Sequence, residues 1–280
     1  MIEQLRETCR RLLQDGVVQV VIGYGESGPD KPAHPVFVTR PEDVDKLVWN
    51  ERCFPNLAVY LTRPAIRALG KPAIIVKGCD ERALIVLEQE SQIDRSAMHV
   101  IGVACAGVGD PRAAKCAACD VHMPRFSDEV IGEVPAQAAS PDGRYAELDA
   151  FLQKSPAERL AYWREELSRC IRCYACREVC PTCYCNRCLV DKNRPACIDT
   201  SATLKANFAW HMARAFHQAG RCTECGECTR VCPMGINLML LNQTLARAAE
   251  RHFNYRAGTN RETPPIIGAY GLEDKESFIR

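Results

Sequence analysis

The reactive side chains of this chain are its cysteines. There are 18 among 280 residues, and twelve of them fall between Cys170 and Cys232. Two segments inside that stretch repeat. One is Cys170-Ile-Arg-Cys173-Tyr-Ala-Cys176-Arg-Glu-Val-Cys180-Pro181, the other Cys222-Thr-Glu-Cys225-Gly-Glu-Cys228-Thr-Arg-Val-Cys232-Pro233. Both read C-x2-C-x2-C-x3-C-P, a spacing that suits an iron–sulfur cube. A [4Fe–4S] cluster needs one thiolate on each of four irons. Three cysteines at two-residue gaps wrap one turn of chain around three corners, and a distant cysteine fills the fourth. Proline after the last cysteine turns the chain away from a helix. The spacing therefore predicts cross-ligation: Cys170, Cys173, Cys176 and Cys232 around cluster A, and Cys222, Cys225, Cys228 and Cys180 around cluster B. Zinc also uses C-x2-C pairs. A zinc site closes at four ligands, however, and leaves an eight-cysteine double repeat ending twice in Cys-Pro unexplained. Ala175 and Gly226, beside the ligands, leave room for backbone N–H groups to reach the sulfides, and those hydrogen bonds tune the potential.

The double motif resembles that of bacterial two-cluster ferredoxins. In small ferredoxins the two copies lie close together, whereas here 41 residues separate Cys180 from Cys222 and helical sequence flanks both. Over residues 155–250 the chain is similar to the helical dicluster domain of fumarate-reductase and heterodisulfide-reductase electron-transfer subunits. That resemblance implies a relay without catalytic residues of its own, working beside other subunits of a redox complex and possible ferredoxin partners.

Four further thiols, Cys183, Cys185, Cys188 and Cys197, follow the first motif closely. They admit a further metal site, or packing as small hydrophobes. Another set, Cys79, Cys105, Cys116 and Cys119, lies in the first half. Cys79 follows the apolar run Ala73–Val76 and Cys105 follows His99–Val103. In a parallel sheet the carboxyl ends of strands share one edge, so these two can converge. Cys116-Ala-Ala-Cys119 on a following loop completes four ligands, which by count fit iron–sulfur or zinc. The segments VKGCD, GVACAG, CAACD and SDEVIGE (127–133), with VVIGY, PVFVTRPEDVDKL and NLAVYL ahead of them, resemble the beta subunit of coenzyme F-420 (deazaflavin) hydrogenases and dehydrogenases over residues 10–135. The resemblance implies a third [4Fe–4S] cluster on those four cysteines. It also implies FAD and deazaflavin reduction, but this chain departs from the family: its first domain is short and its ferredoxin motifs follow that domain. Gly23-x-Gly25-x-x-Gly28 has the dinucleotide spacing, yet Pro29, Pro32 and Pro35 follow it instead of a helix. Pyrophosphate needs a helix N-terminus, so the glycines read as a turn and FAD is not expected on this chain.

The elements that position these residues divide the chain. Residues 1–140 alternate helix and strand signals. Ile2, Leu5, Cys9, Leu12 and Leu13 recur at helical spacing. Strands are expected at Val17–Ile22, Val36–Val38, Leu57–Leu61, Ala73–Val76 and His99–Val103. Helices are expected from Thr39, with Glu42 completing a capping box, to Trp49, briefly after Thr62-Arg-Pro64, and over Glu81–Gln89. This is an α/β domain with a largely parallel sheet. The stretch VPAQAASPDGRYAELD reads as a linker. Residues 141–253 form an α-helical dicluster ferredoxin-like domain, with helices opening at Ser155-Pro156-x-Glu158 and spanning Ser201–Ala219 and Leu238–His252. Residues 254–280 read as an extended tail lying on that domain or on a partner.

Thirty-six basic against 35 acidic residues leave a net charge of +1, which argues against a nucleic-acid binder with a strongly basic surface. No apolar run is long enough to span a bilayer. The N-terminus, MIEQLRETCRR, has no signal-peptide pattern. A cytoplasmic protein is expected, in which many cysteines signal metal rather than disulfides. The histidines, His34, His99, His122, His211, His217 and His252, show no zinc signature and read as structural or surface residues. No nucleophile motif or phosphate-binding loop is present, and no catalytic residue is expected. Trp49, Trp163 and Trp210 read as core. Arg169, Arg172, Arg177, Arg187, Arg221 and Arg230 sit near the ligands. They could steer an acidic partner or neutralise anionic clusters. The function expected is an electron-transfer iron–sulfur subunit relaying electrons between a flavin-, formate- or hydrogen-oxidising subunit and a heterodisulfide-reductase-like or ferredoxin partner. The alternative is a flavin-bearing subunit acting on a deazaflavin or nicotinamide.

Overall fold

The computed structural model describes every residue except Pro29, Ala118 and residues 134–142, 192–193 and 267–280. Helix α1 (Ile2–Gln14) turns Leu5, Thr8, Cys9 and Leu12 inward, the three-to-four spacing of a core-facing stripe. Strand β1 (Val20–Gly25) is buried along its whole length and pairs antiparallel with β2 (His34–Val38). Two 3-10 segments (Pro41–Lys46, Leu57–Thr62) and α2 (Pro64–Arg67) lead to β3 (Pro72–Val76) and α3 (Gly78–Gln89). Then come β4 (His99–Val103), α4 (Ala114–Ala117) and β5 (Glu129–Ile131). The sheet runs β2-β1-β3-β4-β5, with β1, β3, β4 and β5 parallel. Both faces are covered, which is why the central strands read as continuous apolar runs.

Several expectations for this half are corrected. Leu57–Leu61 is a 3-10 segment rather than a strand; the Asn56 side chain accepts from the Ala58 N–H, and Leu57, Ala58, Val59 and Leu61 are all buried. A short apolar run carries no period to distinguish the two. The helix expected from Thr39 to Trp49 is the shorter Pro41–Lys46 segment with Arg40 as its cap. Pro41 forces Arg40 into an extended conformation, so Thr39 lies too early to cap. Gly25 leads into β2 by a hairpin. At Gly23 a Cβ would lie 2.5 Å from Leu47 Cδ2, so that glycine serves sheet packing. Trp49 packs only half-buried at the edge of the core.

The second half is helical: α5 (Ala146–Leu152), α6 (Pro156–Ser168), α7 (Ala175–Glu178), α8 (Leu204–His217), α9 (Glu227–Arg230) and α10 (Leu238–Phe253). Helix α6 starts at the expected capping box: Glu158 N–H donates to Ser155 Oγ at 3.3 Å and Ser155 N–H to Glu158 Oε2 at 2.7 Å. Trp163, Leu167, Trp210, Leu238 and Leu240 form its core. Helix α5 begins inside the expected linker, and the boundary near residue 140 lies outside the described residues.

The described part of the tail, residues 254–266, lies chiefly on α3 of the first half, while Ile266 packs over Gly220 and Arg256 faces Glu224 in the helical half. The Arg82 guanidinium donates to Ala257 O at 2.8 and 3.0 Å, and Gln89 Nε2 to Thr263 O at 2.8 Å. Tyr255 and Ala257 pack on Val86. Gly258 has φ +69°, and a Cβ there would meet Arg82 O at 2.1 Å. Further ion pairs, Arg63 with Glu178 and Arg221 with Glu90, tie the two halves together.

Candidate metal centres

The two repeat loops share one backbone conformation. In the first, Arg172 and Tyr174 have φ of 57° and 60°; in the second, the equivalent Glu224 and Gly226 have 60° and 72°. Left-handed residues two and four positions after the first cysteine turn successive N–H groups toward one concavity, as anion-binding nests do. Three of the four positions are not glycine, so the conformation is strained at each and must be held by its surroundings. Tyr174 and Gly226 then cap α7 and α9, which carry the third cysteine of each motif.

Cys170, Cys173, Cys176 and Cys232 line one small cavity, with Trp210, His211 and Leu238 on its walls. Cys173 is exposed. Burial pushes Cys176 up to about 12. A free thiol there stays protonated, whereas a metal-bound thiol is deprotonated outright. The Arg172 N–H donates to Cys170 Sγ at 3.4 Å. Helix α8 and its C-cap supply a buried polar stripe to this loop. Asn207 Nδ2 donates to Cys170 O at 2.7 Å and Leu167 O at 3.1 Å. His211 Nε2 lies 3.3 Å from Cys170 Sγ, Arg214 Nη2 donates to Cys176 O at 3.1 Å, and Gln218 Nε2 to Cys183 Sγ at 3.3 Å. Burial, with Arg214 and Arg172 close by, pushes His211 down to about 3, so it is neutral.

The second set is packed more deeply. Cys222 feels the charges of Cys228 and Cys225, and both Cys225 and Cys228 feel that of Cys180. The four thus form one electrostatic group. Asn242 Nδ2 from α10 lies 3.7 Å from Cys228 Sγ. A hydrogen bond from the Cys183 thiol, above all, holds Cys180 well below its ordinary range and outweighs burial. The first and second sets adjoin, since Cys176 feels Cys228 and α7 packs on α9.

In the sheet domain Cys79 and Cys105 follow the ends of the adjacent strands β3 and β4, the convergence expected at a carboxyl edge. They share a small cavity with Cys116, Cys119, Lys77, Lys115 and His122. Burial pushes Cys79, Cys105 and Cys119 upward. Gly78 admits the closing loop: a Cβ there would meet Val121 O at 2.0 Å. His122 is 8% exposed, sits 2.9 Å from Cys105 O through Nδ1, and leaves its buried Nε2 without a hydrogen-bond partner among the described residues. That orphaned nitrogen, four sulfurs and two lysines fit a bound anionic iron–sulfur group. By contrast, Cys9 and Cys53 are fully buried in the apolar core, where packing explains them.

Cys183, Cys185, Cys188 and Cys197 are scattered. Cys183 sits beside Cys180 and Gln218, Cys188 packs on the helical core, and Cys185 and Cys197 are exposed. Among the described residues no three His, Cys, Asp or Glu side chains converge as single-ion ligands do. Most of the singled-out arginines are committed to local partners: Arg169 to Glu166, Arg177 to Asp191, Arg221 to Glu90, Arg230 to Glu227, and Arg172 to the carbonyls of Ala206 and Asp199. Arg187 is exposed. Sequence reasoning missed His211 and His122 as neighbours of the cysteine sets. The spacing of Asn207, His211, Arg214 and Gln218, which marks one helix face, was the signal for the first.

Residues 165–236 match the 4Fe-4S dicluster domain family. The chain is 23% identical to the F420-dependent formate dehydrogenase 1 subunit beta of Methanococcus maripaludis over 354 aligned positions, covering 92% of this chain and 90% of that relative. It is 22% identical to the F420-dependent formate dehydrogenase subunit beta of Methanocaldococcus jannaschii over 332 aligned positions, covering 83% and 85%. Together these fit an iron–sulfur electron-transfer subunit of an oxidoreductase that carries [4Fe–4S] clusters. No helix among the described residues is long and apolar enough to cross a membrane.

Proposed function

We propose that this chain passes electrons one at a time through three four-cysteine sites, between a formate-oxidising catalytic subunit and a further redox partner. Cys170, Cys173, Cys176 and Cys232 hold cluster A; Cys222, Cys225, Cys228 and Cys180 hold cluster B; Cys79, Cys105, Cys116 and Cys119 hold the third. The observation that carries the reading is their serial arrangement. Cys225 borders the same cavity as Cys79, Cys116 and Cys119, and Cys228 borders Cys176. The exposed Cys173 leaves cluster A as the end open to a partner. The formate-oxidising partner is suggested by the names of the two relatives. A heterodisulfide-reductase-like protein or ferredoxin, in the cytoplasm, would complete the circuit. Residues 1–140 serve as the domain of the third cluster, 141–253 as the dicluster domain, and 254–280 as a tail whose described part, to residue 266, touches both.

An anaerobic preparation tests this. Three clusters require about twelve iron and twelve acid-labile sulfide per chain. About eight of each leaves only the ferredoxin-type pair. A colourless protein, or one rich in zinc, ends the account. Flavin released on gentle denaturation would instead favour a subunit that itself acts on a deazaflavin or nicotinamide.

A further inference from the structure

We propose that Lys115 is a positioning residue for electron passage between the first-domain cysteine set and the second ferredoxin-type set, one cation shared by both sites. This rests on the assignment of a cluster to Cys79, Cys105, Cys116 and Cys119, and deepens it.

Lys115 precedes Cys116 on α4, so its backbone belongs to the first-domain site. Its side chain crosses to the other half. Nζ donates to Cys225 O at 2.9 Å and to Phe54 O at 3.3 Å, and lies 3.4 Å from Glu227 Oε1. It lines the cavity of the four first-domain cysteines and also the cavity that Cys79, Cys116 and Cys119 share with Cys225. The side chain is only 10% exposed, so its field is little screened by water or salt. Nor does it have an anion to itself. Arg230 takes both oxygens of Glu227 at 3.0 and 2.7 Å, leaving Lys115 the longer contact. Lys77, the other lysine at the first-domain site, is matched by Asp80 at 2.6 Å and donates to Pro55 O at 3.1 Å, within its own half.

The step served is a one-electron transfer: one site loses an electron, the other gains it, and no bond forms or breaks. A cation between two sites stabilises the extra negative charge on either, so it raises both potentials together and keeps the second from becoming a barrier to the first. The chain Cys116–Lys115–Nζ–H···O=C–Cys225 also gives a continuous route of covalent bonds and one hydrogen bond across the domain boundary.

The experiment compares anaerobically purified wild type, Lys115→Met and Lys115→Arg by metal analysis and by EPR-monitored redox titration. Lys115→Met should keep the wild-type iron and sulfide. At a fixed poise the reduced-to-oxidised ratio of two of the three sites should fall about tenfold (~59 mV for a one-electron couple), with the third unmoved. Lys115→Arg should restore both ratios. Unmoved ratios, movement of one site only, or failure of the arginine to restore them overturns the proposal. A Lys115→Met protein that loses about four irons also overturns it, since the residue then serves assembly alone. Wild type holding only about eight irons instead removes the first-domain cluster, a failure of the underlying reading that precedes any variant.

Discussion

His211 holds its Nε2 3.3 Å from the Sγ of Cys170, at the wall of the cavity lined by the first cysteine set. A hydrogen bond to a ligand sulfur favours the more negative, reduced state. Replacing His211 with Leu keeps an apolar body of similar bulk but removes that bond. One of the EPR-resolved sites should then become harder to reduce, with a severalfold lower reduced fraction at fixed poise and unchanged iron. An unchanged titration would mean that the imidazole only packs there.

Cys180 and Cys183 are hydrogen-bonded neighbours three residues apart, and it is Cys180 whose charge bears on Cys225 and Cys228. Cys180→Ala should lose about four iron per chain, the content of one cubane. Cys183→Ala should keep the full complement, because its thiol contacts Cys180 and Gln218 rather than the second motif. Metal analysis of the two variants side by side decides it; equal losses would place both sulfurs in the site.

Gly78 sits where the loop after Cys119 passes over the start of α3, and a Cβ there would meet Val121 O at 2.0 Å. The obstacle is backbone, so an added methyl must displace the loop. Gly78→Ala should cost about 2–3 kcal/mol, in the range of overpacked sites. It should also lower iron content, because the displaced loop joins Cys119 to His122. A thermal melt at wild-type midpoint with full iron would refute the steric account.

Asp128 ties the start of β4 to the strand beside it. Burial alone would raise its pKa, but the Val100 N–H at 2.7 Å and the Arg95 guanidinium at 2.9 Å hold it below the usual carboxylate range. A depressed folded-state pKa gives stability that is present above the unfolded value, near 3.9, and is lost as pH falls toward the folded one. The melting temperature of wild type should therefore exceed that of Asp128→Asn at pH 6, and the gap should close as pH falls through about 4. A gap independent of pH would assign the effect to packing.

Much of the site was legible because ligand spacing is a local property. Cysteines three and four positions apart must share a loop whatever surrounds them, and the ends of β3 and β4 had to share an edge once the sheet was parallel. The α6 capping box was equally local. What escaped was set by tertiary contact. Leu57–Leu61 has no period, so its burial against the sheet decided its form. The left-handed backbone at Arg172, Tyr174 and Glu224 has no glycine to announce it. The tail was expected on the helical half or on a partner; that Arg82 and Gln89, distant in sequence, would also bind its described part to α3 was not legible. His211 was read alone, whereas its meaning lay in its register with Asn207, Arg214 and Gln218.

The exposure of Cys173 carries a cost. Ile171 beside it is 56% exposed, so that rim of the first motif has little cover of its own. An opening through which a docked subunit can exchange charge is equally an opening for dioxygen. Damage in air should begin at that rim and spare the deeply packed Cys222–Cys228 loop. Durability in air would then depend on how continuously a neighbouring subunit keeps the rim shut.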